Sequence, residues 1–185
     1  MTWAKVGAVF SLIFIVLGSL YVGVGGMERV ELIRLSKEAA QKPQKETHHG
    51  DEVFYNPESL NVFRMEEKVE QLFPWIKILP SFAALALTAV SFGMLGGATR
   101  VLKELVIDSI SLEFKSVYMY SAFGFLIGIM ILGVSYILPA ALTQQTDIQL
   151  DPSTLLFLCY FGGLFSLRFF KWIEGLFERI FPEPE

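Results

Sequence analysis

Apolar residues in this chain fall in blocks rather than at a helix or strand period. Four windows carry no charged residue: 6–26, 78–98, 117–138 and 152–167. About 20 apolar residues in a helix span the hydrocarbon core of a bilayer, and the first three windows reach that length. The fourth has 16 residues. Inside lipid every backbone N–H and C=O must be satisfied within the chain, so these windows predict helices. The weak alternation of a membrane barrel strand is absent. The pattern predicts an all-α integral membrane protein with four transmembrane helices. A helical extramembrane connection joins the first two, and an amphipathic interfacial helix closes the chain.

The polar segments refine this outline. "MERVELIRLSKEAAQK", 27–42, has apolar residues at helical spacing and predicts a continuation of the first membrane helix beyond the bilayer. "PQKETHHGDEVFYNP", 43–57, is bounded by prolines and contains a glycine, so it reads as irregular. "SLNVFRMEEKVEQLF", 59–73, predicts a second helix, capped by Ser59 and stopped by Pro74 before Trp75 enters the membrane. Two helices with so little apolar area need a partner surface. The division is therefore 1–26, a first transmembrane helix; 27–74, the extramembrane connection; and 75–185, three further helices with the tail. The first apolar run is too long for a signal-peptide core and lacks an A-x-A cleavage site, which predicts an uncleaved helix.

The last span starts cleanly, with Asp151 suited to the N-cap and Pro152 to the first helical position. Arg168 lies 16 residues beyond Pro152, a rise of about 24 Å, close enough to the membrane surface for its side chain to snorkel. Past it, Arg168, Lys171, Glu174 and Glu178 share one helix face while Phe169, Phe170, Trp172 and Ile173 fill the rest. That is the pattern of a helix lying in the interface.

Charge sets the orientation. Of the 15 Lys and Arg, one precedes the first window, eight lie in 27–77, three lie between the second and third windows, none between the third and fourth, and three follow the fourth. Cytoplasmic segments are enriched in cations. The cation-free loop "PAALTQQTDIQLD", 139–151, is placed outside and both termini inside, in a bacterial inner membrane. The long connection is then external; its eight cations are offset by ten acidic residues. Trp3, Tyr118, Tyr120 and Trp172 would form one aromatic belt and Tyr21, Trp75 and Tyr136 the other. Composition agrees: 53% of the 185 residues are hydrophobic and 18% charged, with mean hydropathy +0.50. The net charge of −4 argues against direct nucleic-acid binding. The single cysteine, Cys159, excludes an intramolecular disulfide.

Candidate chemistry is sparse. Each window carries a small-x-x-x-small pair: Ser19 and Gly23, Gly93 and Gly97, Gly124 and Gly128, Gly162 and Ser166. Membrane helices approach closely through such residues, within one chain or between copies. Arg100, Arg168, Lys171 and Trp172 are the candidate interfacial anchors. Ionisable groups at membrane depth mark pumps, carriers and voltage sensors, and the windows hold none. His48 and His49 read as solvated linker residues rather than metal ligands. Nucleophile-elbow, Walker, H-E-x-x-H and C-x-x-C sequences are absent. No enzyme, cofactor or metal is expected. The expected partners are the lipid bilayer, further copies of the chain and a cytoplasmic protein.

Two stretches, "FGMLGGATRVL" at 92–102 and "FGGLFSLRFFKWIEGL" at 161–176, resemble a loosely defined family of bacterial four-helix multi-pass membrane proteins. In size and span number the chain also looks like the membrane subunit of defence systems such as Kiwa. The resemblance implies a helical hairpin, a cytoplasmic tail and a place beside a cytoplasmic partner, with no activity attached. The expected function is a non-enzymatic, oligomeric membrane subunit that senses, scaffolds or anchors; the alternative is a homo-oligomeric channel or pore-forming effector.

Overall fold

The computed structural model describes residues 3–43, 47–49, 52–54, 56–107, 114–143, 152–166, 168–171 and 175. Five helices dominate: α1 (Trp3–Ala40), α2 (Pro57–Leu72), α3 (Ser81–Ile107), α4 (Phe114–Thr143) and α5 (Pro152–Leu164). A 3-10 helix, Pro74–Ile78, follows α2. Three helices are long and apolar enough to cross a membrane: α1, α3 and the 114–136 part of α4. The 13 residues of α5 rise about 20 Å, short of the roughly 30 Å core.

The chain divides into two compact units. Unit 1 is Met1–Gly23 with Ala89–Glu185; unit 2 is Val24–Thr88. In unit 1, Ala8 and Leu12 of α1 are buried with Ala98 and Val101 of α3 and Val117 of α4. The opposite stripe of α1, including Phe10, Phe14, Leu17 and Tyr21, is exposed. Such a stripe suits lipid, which solvates apolar side chains as well as a protein interior does.

Unit 2 has a small core of its own, Leu32, Val69 and Ile76, with Val62, Phe73 and Trp75 packed against it. Three corrections to the expected connection arise here. First, 43–57 is not wholly irregular: β1 (Thr47–His49) pairs antiparallel with β2 (Glu52–Phe54), Thr47 opposite Phe54 and His49 opposite Glu52. Two residues, Gly50 and Asp51, separate the paired ends, and Gly-Asp is a dipeptide that two-residue hairpins favour.

Second, α2 is capped by Asn56, not Ser59. The Asn56 Oδ1 accepts from the Ser59 backbone N–H at 2.7 Å, and Pro57 takes the first helical position. Pro needs no N–H partner there and fixes a helical φ, so Asn-Pro starts the helix three residues earlier. The Asn56 Nδ2 also donates to the Ala39 carbonyl at 2.7 Å, which accepts from the Lys42 backbone N–H at 3.2 Å as well, so the side chain ties the start of α2 to the end of α1. Third, Trp75 does not enter a membrane helix. It lies in the 3-10 helix, and α3 begins at Ser81 after Pro80, so the second apolar helix starts three residues later than its window.

At other boundaries, α4 continues through Pro139 to Thr143, five residues into the expected loop. The glycine cluster Gly23–Gly26 lies inside α1. Helix α5 ends at Leu164, before Arg168; a turn at Phe165 follows, and residues 168–171 are again helical. The expected Asp151 cap, residues 144–150, Trp172 and most of the amphipathic tail lie outside the described residues.

Candidate functional site in the glycine seam

A membrane helix can bring its backbone against another only where side chains are absent, and α3 does so on two sides. Facing α4, a Cβ added to Gly93 would collide with the Gly124 carbonyl oxygen and lie 3.0 Å from the Gly128 nitrogen. One added to Gly124 would collide with the Gly93 oxygen in return. Gly97 meets the Tyr120 carbonyl in the same way, and Gly128 lies against Ala89 and Val90. Each four-residue step forward on α3 matches a four-residue step back on α4, so the two helices run antiparallel along a glycine seam.

The second side of α3 receives α5. A Cβ on Gly96 would strike the Tyr160 carbonyl, and one on Gly163 would strike the Gly93 carbonyl and lie 3.1 Å from the Gly97 nitrogen. Gly162 completes a triangle: a Cβ there would come within 2.7 Å of Ile127 and Ile131 on α4. Successive residues on a helix point about 100° apart. A Gly-Gly doublet therefore lets one helix touch two neighbours at one level. Gly96–Gly97 does this for α3 and Gly162–Gly163 for α5. Gly96 and Gly163 fall outside the small-x-x-x-small spacing and were not singled out by it; the doublets were the signal.

The remaining packing residues take other places. Gly23 would bring a Cβ 2.9 Å from the Phe92 ring, within unit 1, and Ser19 is buried. Ser166 is fully buried, with no hydrogen-bond partner for its Oγ among the described residues. In unit 2, Gly25 faces Trp75 and Phe73 and Gly26 faces Thr88 and Ala84. By contrast Gly18 on α1 and Gly133 on α4 have nothing within 4 Å of a Cβ position.

At one end of the seam sits a polar cluster. The Arg100 Nε donates to Glu104 at 2.9 Å one helical turn on, and its guanidinium lies 4.7 Å from the Tyr120 ring centroid. Both charged side chains are about four-fifths buried, Arg100 19% exposed and Glu104 23%. Flat guanidinium on aromatic face is favourable where water is scarce. Nearby, the Tyr160 hydroxyl donates to Thr99 Oγ1 at 3.4 Å, and Thr99 in turn donates to Leu95 O at 2.8 Å. Arg168 and Lys171 are exposed.

Ion pairs in unit 2 are of a different kind. Arg29 holds three acceptors: Glu66 Oε1 at 3.3 Å, Leu79 O at 3.3 Å and Lys77 O at 3.2 Å. It thereby ties α1 to α2 and to the 3-10 helix. Lys42 bonds Glu58 at 3.1 Å and Lys77 bonds Glu70 at 2.9 Å, both at the surface. A shallow cavity of about 160 Å³ opens between α1 and α2, its rim formed by the Lys42–Glu58 pair. Among the described residues no group of three or more His, Cys, Asp or Glu converges on a point where a metal would bind.

These features define a helical protein whose three long apolar helices are compatible with a multi-pass membrane protein. No protein-family model matches the chain, and no curated protein or solved structure matches it.

Proposed function

We propose that this chain is a non-enzymatic membrane subunit, built into an oligomer to sense, scaffold or anchor in a bacterial inner membrane. In this reading α5 is a fourth span, both termini face the cytoplasm, and the chain from Arg168 onward forms an amphipathic helix along that face. A cytoplasmic protein partner beside it belongs to the same proposal, and what supports it is the likeness in size and span number to membrane subunits of defence systems.

The observation that carries this reading is the closure of α3, α4 and α5 on one another through bare backbone. Glycine seams fill the space between these helices, where a carrier would need a polar path for its substrate. The same closure consumes Gly93, Gly97, Gly124, Gly128 and Gly162 within one chain. Contacts between copies must then use other surfaces.

The test is the mass of the protein extracted in mild detergent from native membranes. Several copies, or one copy with a bound protein, is the expected result. A monomer with nothing attached would sink the proposal. Dye release from liposomes holding the purified protein would replace the scaffold with a pore.

A further inference from the structure

In unit 2, Arg29, Arg34, Lys42 and Lys77 each have a carboxylate within 4 Å, while Lys37 and Lys68 are exposed and in no ion pair among the described residues. In unit 1, Arg100 has Glu104, whereas Lys5, Lys103, Lys115, Arg168 and Lys171 are exposed and in no ion pair among the described residues.

The fold gathers those five. Lys5 precedes Gly7, whose Cβ position is 3.6 Å from the Phe114 ring, next to Lys115. Ala8 and Leu12 share a core with Ala98, Val101 and Val117, which brings the start of α1 to the end of α3 and the start of α4. Lys103 is two residues beyond Val101. The Phe170 ring lies 5.5 Å from Phe123, nine residues and about 13 Å along α4 from Phe114, so Arg168 and Lys171 approach that end from inside it and reach it with their long side chains. Four separate chain segments thus deliver unpaired cations to one end of one helix bundle. Around them Trp3, Val106, Ile107 and Tyr118 are exposed apolar or aromatic residues.

Apolar side chains with a rim of snorkelling cations fit one surface chemically: the headgroup layer of a bilayer, with anionic phosphates at the cation level. We infer that Lys5, Lys103, Lys115, Arg168 and Lys171 form a binding surface for anionic phospholipid headgroups, and that the membrane bundle is selective for anionic lipid. This goes beyond the proposed function, because it requires neither an oligomer nor a protein partner.

The probes are phosphatidylglycerol and phosphatidylcholine of the same acyl chains, added to the full-length protein in uncharged detergent. Phosphatidylglycerol is expected to raise the melting temperature by several degrees and to remain bound in native mass spectra; phosphatidylcholine is expected to do neither. Replacing Lys103, Lys115, Arg168 and Lys171 together by Gln should weaken the apparent affinity for phosphatidylglycerol roughly tenfold or more. Added salt at about 1 M, with a Debye length near 3 Å, should do the same in the unmodified protein. Arg34→Gln with Lys37→Gln, in unit 2, should leave the response intact. Equal stabilisation by both lipids, or a quadruple variant that keeps the full response, would overturn the inference. So would retention of an acidic protein by these cations with no effect of lipid charge. Because the quadruple variant sits outside the glycine seam, its melting temperature without lipid should stay within about 1–2 °C of the parent, reporting a folded protein.

Discussion

Gly93 and Gly124 each occupy the place where the other's side chain would begin: a Cβ on either meets the carbonyl oxygen of its partner. Backbone contact this close leaves no flexible atom to yield, so a methyl group must push the helices apart. Overpacking of this kind costs about 1–3 kcal/mol or more. Gly93→Ala is expected to lower stability by at least that much, read as the melting temperature of the detergent-extracted protein. Gly133→Ala, with open space at its Cβ, should be neutral or stabilising by up to about 1 kcal/mol through helix propensity. Equal effects at the two positions would remove the seam from the account.

Asn56 joins the two ends that face each other in unit 2. Its Oδ1 caps α2 and its Nδ2 closes the Ala39 carbonyl of α1. Asn56→Ala should cost about 1–3 kcal/mol, the sum of a lost cap and a lost hydrogen bond to the Ala39 carbonyl. Asn56→Asp keeps the cap but sets a buried carboxylate oxygen against the Ala39 carbonyl, so it should cost as much at neutral pH and less as the carboxyl is protonated. Amide exchange at Ser59 separates them: fast in the Ala variant, still slowed in the Asp variant.

Arg29 is buried on one side and reaches three oxygens with a fork that lysine cannot reproduce. Arg29→Lys should loosen the 3-10 helix from α1 at a cost of about 1 kcal/mol. The fluorescence of Trp75, in that same helix, is the local reporter, compared in a background where Trp3 and Trp172 are Phe. An unchanged emission maximum and unchanged quenching by iodide would contradict the tie.

Two surface pairs give a pH dependence with opposite limbs. The Glu58 carboxyl is held below its ordinary 4.5, first by the backbone N–H at its own position in the first turn of α2, then by Lys42. Its contribution to stability is complete above pH 4.5 and is lost as pH falls through the lowered value. The Lys77 amine is raised above 10.5 by Glu70, so its contribution is complete below pH 10.5 and is lost as pH rises through the raised value. Both groups lie at the surface, and the effects are small. In Lys42→Gln a titration followed by NMR should find Glu58 still below 4.5, because the backbone donor remains; a return to 4.5 would assign the shift to Lys42 alone.

Hydropathy made the three long spans legible, since lipid leaves apolar blocks where water would leave a stripe. The connection was harder to read. Ser59 and Asn56 are both good caps, and the choice between them turned on Pro57, which suits the first helical turn and marks Asn56 as the residue before it. The hairpin was hidden by its polar strands, although Gly50–Asp51 between short runs was a usable signal. Spacing found Gly93 and Gly97 as a pair but could not say that α4, rather than a second copy, lies against them. The seat of α5 depended on doublets, which a four-residue search passes over. Which cations share one end was beyond reach for a different reason: Lys5 and Arg168 are separated by nearly the whole chain, and only the packing of α1 and α5 against α4 joins them.

The triangle of helices also carries an order in time. Ribosomes release α3 before α4 and α4 before α5, so Gly93, Gly96 and Gly97 reach the membrane with nothing to cover them. Helix α4 fills one side as soon as it emerges. The glycines of α3 that receive Gly163 are therefore made well before it, and the shortest of the five helices follows in the chain every surface it packs on.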